Sequence, residues 1–415
     1  MPKSKNKYIQ NNTYLIFLGA GISQKYCIEK AYKMGLKIIL VDGKLDINEY
    51  KYCDVLLKID FVKKEKNVLN WIKKNNIKLS GAMSYCNEAG MKLAAKLRLK
   101  YKLPGMGIEI TEKMSNKILQ RKLWDKAKLS CPNWVTVKHS KKYKNVNIIS
   151  KRLKFPLIIK PADSAGSRGV TKIESKNQII KNIDKAMKIS NIKHVIIEEY
   201  IEGIEYTIES FTNNSKTIIL AVTKKYKIPG TNKTVANQLE SLDNKNFLFK
   251  HLGNLTIEAL KALKFENGPA HTEIIYNHIS GEEIIVETAG RGGGFKILDS
   301  LVPAITGFDA TKASILQAIN KQIRIPKLSN NYAILKWLPS RKGTVRSISG
   351  FNKVRRNENK NINIEGNNFV DIGAKVNTPT CDGDRLGYLL CWGKNKSEVK
   401  EILKKSHKQI KFKIN

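Results

Sequence analysis

Residues 14–42 place the tightest constraint on what this chain can become. YLIFLGAG is an apolar run ending in a glycine turn, ISQKYCIEKAYKMG has the length and spacing of a helix, and LKIILVDG is a second apolar run. Strand-length apolar runs joined through a helical segment argue for a parallel βαβ unit. The pattern continues through a predicted helix at Asn67–Asn75 and the strand-like LSGAMSY. A helix is expected over Ser84–Lys100, with Ala89, Leu93, Ala94 and Leu97 on one face. The turn signal at Leu103–Gly105 closes this first unit.

A further helix is expected over Glu112–Ala127. From there strand signals dominate: FPLIIKP, GVTKIE, HVIIEEYI, EYTIESFT, TIILAVT, HTEIIYN and EEIIVETAG. Helical patterns at Asn177–Lys188, Asn254–Leu263 and Ala310–Ile319 interrupt them. The end of the chain combines short strands, the turn-rich KVRRNENKNINIEGNN and a closing helix, Ser397–Ile410. The expected class is therefore α/β followed by α+β, and 415 residues suit two or three compact units.

The net charge of +39 raises the question of nucleic acid. The excess is mostly lysine, spread along the chain beside asparagine and isoleucine, including the exposed KKYK run around Lys141. No homeodomain, zinc-finger or RNP-type pattern gives that charge a groove to enter, so no specific nucleic-acid partner is expected. No apolar stretch reaches the roughly 18 residues of a membrane span, and the run Tyr14–Gly19 is too short for a leader. Six scattered cysteines without metal spacing read as reduced thiols. The expectation is a soluble cytoplasmic protein without membrane contact.

Four segments carry chemistry. LGAGISQ, Leu18–Gln24, with Asp42 ending the next strand, could bring a phosphate to a helix N-terminus. Gln24 replaces the third glycine of the dinucleotide fingerprint, so a tight turn without nucleotide is equally open. In FPLIIKPADSAGSRGVTKI a strand delivers Lys160 to a loop of small residues, among them Ser164, Gly166, Ser167 and Gly169. Such a loop exposes backbone N–H groups to polyphosphate beside a neutralising lysine. VIIEEYIEGIEYTIES sets Glu198, Glu199 and Glu205 around a short connector, and buried carboxylates need donors such as an adenine amino group or ribose hydroxyls. HTEIIYNHISGEEIIVETAGRGGG reads as a hairpin about Ser280–Gly281 that places Glu273 beside Glu287. Two adjacent carboxylates call for a cation, and Mg²⁺ bridging phosphates takes one or two. Arg291 follows in a glycine-rich bend.

These segments, in this order, resemble the ATP-grasp superfamily over nearly the whole chain, and within it the carboxylate–amine ligases related to L-amino acid ligase and biotin carboxylase. The resemblance implies a Rossmann-like pre-ATP-grasp domain at 1–112, an ATP-grasp domain at 113–328 and a small C-terminal α+β subdomain at 329–415, which includes GDRLGYLLCWGKNKSEVKEILKKS. It implies ATP with Mg²⁺ or Mn²⁺ as cofactors. Lys117 in MSNKILQRKLW and Lys160 match the nucleotide-contacting lysines. Glu198, Glu199 and Ile201 match the adenine hinge, Glu205 the ribose acid, Glu273 and Glu287 the metal carboxylates, and Arg291 the arginine that holds substrate or acyl phosphate. Ala289 stands where many members carry an asparagine that helps hold metal or phosphate.

The implied reaction joins a small-molecule carboxylate to an amine or thiol through an acyl phosphate, with release of ADP and phosphate. Lys160 and Arg291 would be its catalytic residues. Three alternatives remain at this stage: carboxylation as in biotin carboxylase, though no MKM-type biotinyl-lysine segment is present; an NAD-dependent oxidoreductase using the first domain; and a non-catalytic ATP-binding module. A homodimer is left open as a partner state.

Overall fold

A computed structural model describes residues 13–44, 51–138, 146–229, 235–355 and 361–415; the Lys141 run lies outside them. The first unit is a parallel sheet in the spatial order Val55–Leu57, Lys37–Val41, Thr13–Leu18, Lys78–Met83. The helix Ile22–Lys33 makes the expected crossover between its first two strands. The helix expected from Ser84 starts only at Met91. Cys86 takes a left-handed backbone conformation, and Asn87 Oδ1 accepts from Ala89 N–H at 3.1 Å, so residues 84–90 form a loop.

A four-stranded antiparallel sheet follows, in the order Trp134–Lys138, His194–Glu199, Leu157–Pro161, Thr171–Ile173. The expected helix over Glu112–Ala127 is two helices, Ile108–Ser115 and Lys117–Lys126. Asn116 divides them: its backbone is extended, and its side chain accepts from the N–H groups of Ile118 (3.0 Å) and Leu119 (3.4 Å). This is an N-cap, in which a short polar side chain replaces the carbonyl partners that a continuous helix would supply.

The largest sheet has eight antiparallel strands. Its order is Glu283–Ala289, Gly268–Tyr276, Ile204–Asn213, Lys216–Lys227, Ala236–Ser241, Tyr332–Pro339, Arg385–Gly393, Ile362–Asn368. Ala236–Ser241 was not among the expected strands, and the helix expected from Asn254 begins earlier, at Phe247, capped by Asn246. Leu239 pairs with Leu335, so the sheet continues across position 328 into the C-terminal region. One apolar cluster joins all three regions, with Phe17 and Ile28 from the first unit, Phe211, Leu301 and Phe308 from the middle, and Leu335 and Trp337 from the last. Burying residues of all three in one core fixes the walls of the space between the two antiparallel sheets.

Candidate functional site

A cleft between those sheets gathers side chains from sequence positions 117 to 385. Its lining includes Lys117, Lys160, Ser164, Gly166, Ser167, Glu198, Glu199, Ile201, Glu205, Glu273, Glu287 and Arg291. Every residue matched to nucleotide, metal or substrate by the resemblance is there, and so are the small residues of the loop except Gly169, which closes its far end with a positive φ and would press a Cβ onto Ile189 and Pro161. The antiparallel register sets Glu273 directly opposite Glu287.

The loop over the cleft is anchored at its base. Asp163 accepts from Ser190 Oγ (2.8 Å) and from the N–H groups of Asn191 and Ile192. Beyond it Gly166 and Ser167 take positive φ, which a glycine adopts without steric cost. Lys117 is the first residue of its helix because Asn116 caps it. Its backbone N–H reaches Ala162 O at 2.9 Å, and its ammonium donates to Ser164 O at 2.6 Å and pairs with Glu287 at 2.8 Å. Burial would lower the Lys117 pKa, but Glu287 and Glu88 raise it above the ordinary value.

At the opposite corner Lys160 lies 2.7 Å from Glu198, and Arg121 lies 2.7 Å from the other oxygen of the same carboxylate. All three are buried. Burial would raise the Glu198 pKa, yet the two cations hold it below the usual range. Burial lowers the Lys160 pKa and, with repulsion from Arg121 and Lys117 added, prevails over the raising pull of Glu198 and Glu287. Two cations thus share one anion, and the corner is electropositive in a low-dielectric setting where a polyphosphate gains most. Arg121 Nε and Nη1 are buried without hydrogen-bond partners among the described residues.

The donors that sequence reading assigned to a ligand at Glu198 and Glu199 are protein groups. Glu198 takes Lys160 and Arg121, while Glu199 accepts from Lys154 N–H (2.8 Å) and Asn133 Nδ2 (2.9 Å). Both carboxylates therefore hold the hinge in place.

A row of charges crosses the eight-stranded sheet. Glu205 pairs with Lys225 and with Lys227; Lys225 also donates to Glu273 at 2.8 Å; His271 bonds Glu209 and lies 3.7 Å from Glu273. Burial would raise Glu273, but Lys225 and His271 hold it well below the usual carboxylate range. Burial would lower His271, but Glu209 and Glu273 raise it to about 9. Arg291 pairs with Glu88 at 2.9 Å, from the loop that displaced the expected helix start.

Arg121, Lys225, His271 and Arg385 were missed. Arg121 lies four residues after Lys117, on the same helical face, and Lys225 and Lys227 share one face of a strand by its two-residue period. Those spacings were available signals for two sites of positive charge. The N-terminal glycine turn is filled from within. Asp42 accepts from Ala20 N–H and Lys44 N–H, both at 2.9 Å, and a Cβ at Gly19 or Gly21 would meet Asn87 or Gln24. The acid that a dinucleotide fold would give to ribose is engaged in the turn by these two backbone N–H groups.

Glu273 and Glu287 supply only two protein ligands, and no group of three or more candidate ligands occurs among the described residues. Two facing carboxylates in a cleft that also holds Lys117 and Lys160 would suit Mg²⁺, with phosphate oxygens and water supplying its other ligands.

Residues 153–299 match the ATP-grasp domain family, and residues 336–415 match L-amino acid ligase C-terminal domain 2. Among curated proteins, the D-alanine–D-alanine ligase of Prochlorococcus marinus (strain MIT 9301) is 32% identical over 125 residues, 29% of this chain and 34% of that protein. The chain thus matches about a third of the length of that relative. Among solved structures, the L-amino acid ligase of Bacillus licheniformis superposes with a TM-score of 0.81 at 17% identity, covering 98% of this chain and 100% of the other. Biotin carboxylase of Campylobacter jejuni gives 0.73 at 15% identity, covering 97% and 92%. These likenesses establish a common fold. No helix among the described residues is long and apolar enough to cross a membrane.

Proposed function

We propose that this chain, an ATP-grasp protein closed by an L-amino acid ligase C-terminal domain, is a carboxylate–amine ligase that works through an acyl phosphate. The observation that carries the reading is the facing pair Glu273 and Glu287 in the same cleft as Lys160, Lys117 and Arg291.

ATP would lie between the two sheets, with its base at the hinge Glu199–Ile201 and its ribose hydroxyls near Glu205. Lys160 and Lys117 neutralise the phosphates, and backbone N–H groups of the loop Asp163–Gly169 close over them. Glu273 and Glu287 would hold Mg²⁺ or Mn²⁺, whose positive charge offsets the charge that shifts across the transferring phosphoryl group. Lys225 and Lys117, which pair with those carboxylates, lie where they could also meet phosphate oxygens. The guanidinium of Arg291 orients the acceptor carboxylate and then holds the acyl phosphate through its planar fork. An amine attacks the acyl carbon, the C–O bond to phosphate breaks, and inorganic phosphate leaves. Phosphoryl transfer needs positioning and charge neutralisation more than a protein nucleophile, which accords with a cleft of carboxylates, cations and glycines.

The test is an ADP-release screen of the purified protein with Mg²⁺, ATP and paired carboxylic acids and amines, amino acids included. ADP and phosphate are expected only when all components are present. AMP and pyrophosphate as coupled products would overturn the reading.

A further inference from the structure

One buried side chain ties the two walls of the cleft together without lining it. In the helix Lys117–Lys126, Lys117, Gln120 and Arg121 are buried on one face, at the spacing of three and four residues that aligns helical neighbours. This face lies against Glu283–Ala289, the outermost strand of the eight-stranded sheet. Gln120 caps the outer edge of that strand as another strand would: its amide nitrogen donates to Thr288 O at 2.6 Å, and its amide oxygen accepts from Thr288 N–H at 3.3 Å. Arg121 Nη2 donates to Val286 O at 2.5 Å. The two contacts bracket Glu287, which Lys117 holds from the same helix. The same Arg121 nitrogen also faces the four-stranded sheet, 2.7 Å from Glu198 Oε1, while Glu198 Oε2 holds Lys160 at 2.7 Å. Arg121 is thus one atom away from each wall, yet it is absent from the lining of the cleft.

Stability is a poor reason for such a network. Desolvating three ions offsets their mutual attraction, and apolar side chains of similar volume often serve as well. Arg121 Nε and Nη1, buried without partners among the described residues, add to the penalty. What the network supplies is placement and charge. A lysine ammonium is a point charge on a flexible four-carbon stem; with Arg121 fixing one oxygen of Glu198, the other oxygen offers Lys160 a fixed acceptor. Two cations on one carboxylate also leave positive charge over for a phosphate, whereas Lys160 and Glu198 alone would close into a neutral pair. Resting on the nucleotide site of the ligase reading, we propose that Arg121 is a positioning residue. Through Glu198 it fixes the Lys160 ammonium, and through Val286 it ties that ammonium to the strand carrying Glu287, so that the phosphate lysine and the metal carboxylate act on one phosphoryl group.

Nucleotide binding tests this without turnover. The parent protein, Arg121→Met, Arg121→Lys, Lys160→Ala and the double variant Arg121→Met with Lys160→Ala are titrated, in the presence of Mg²⁺, with a non-hydrolysable ATP analogue and with adenosine. Arg121→Met should weaken the analogue about tenfold and change adenosine by less than about twofold, because only phosphates meet Lys160. Arg121→Lys keeps the charge without the fork and should recover part of the loss, to roughly threefold below the parent. In the Lys160→Ala background Arg121→Met should add less than about twofold, the non-additivity of a residue that acts through another. A merely structural role would weaken both ligands alike and add fully to Lys160→Ala. If Arg121→Met does not fold, the same cycle is run with Arg121→Lys. Unchanged analogue affinity in Arg121→Met, or in Arg121→Lys where that variant takes its place, would overturn the proposal, as would an equal loss in the Lys160→Ala background or a parallel loss for adenosine. Failure of the nucleotide reading itself would show separately, as a Lys160→Ala protein that binds the analogue as tightly as the parent.

Discussion

Glu273 lies directly opposite Glu287 across two antiparallel strands, and each carboxylate is already neutralised, Glu273 by Lys225 at 2.8 Å and Glu287 by Lys117 at 2.8 Å. Two like charges at this separation in a low-dielectric cleft would repel strongly. The two lysines offset that repulsion, and under the proposed reading a divalent cation would do the same for carboxylates facing bound phosphates.

Glu287→Gln removes one of the two charges facing the metal. Turnover should fall by about 10²–10³, the range for losing one preorganised electrostatic contact to the transition state, while ATP affinity measured by calorimetry changes less. A variant with full turnover would remove Glu287 from the metal site.

Arg291→Lys keeps the charge and loses the two-pronged geometry. Turnover should drop on the order of 10²-fold with nearly unchanged ATP affinity, read by coupled ADP release and isothermal titration. Equal losses in both would assign Arg291 to nucleotide binding instead.

Lys160 shares Glu198 with Arg121, and its positive charge is only partly balanced. Lys160→Ala should weaken ATP binding by at least about tenfold, roughly 1.4 kcal/mol. Undiminished affinity in a titration would mean that the phosphates lie elsewhere.

Asn116 is a structural residue with a functional consequence. Asn116→Ala should cost about 1 kcal/mol of stability through the lost cap. It should also weaken ATP binding, because the cap sets where Lys117 begins its helix. Chemical denaturation and titration read the two effects; a stability loss with intact ATP affinity would separate the cap from the site.

His271 carries the clearest pH signature. Its ordinary value is 6.5, and in the folded chain Glu209 and Glu273 raise it to about 9 against the opposing effect of burial. A folded-state value above the unfolded one means stabilisation that is fully present below pH 6.5 and is lost as the pH rises through 9. The separation corresponds to on the order of 3 kcal/mol. His271→Gln should therefore flatten the stability profile between those limits, as measured by urea unfolding across the pH range. An unchanged profile would show that His271 is not the titrating group.

The sequence by itself determined the parts whose logic is local. The hairpin was legible because its strand and turn signals are local, yet the register running out from the Ser280–Gly281 turn would set Glu273 against Val286, and only the one-residue shift between Glu273 and Ile274 brings it opposite Glu287. The strand ending at Lys160 and the run of small residues after it were legible for the same reason. Tertiary structure decided which partners the charges meet. Glu198 finds Arg121 from 77 positions earlier, Arg291 finds Glu88 across 203, and Arg385 reaches the cleft only because the eight-stranded sheet carries the C-terminal region alongside Ala236. No spacing rule links such positions. Their encounter depends on how three regions bury one common apolar core, and the balance of charge in the cleft exists only after that burial is complete.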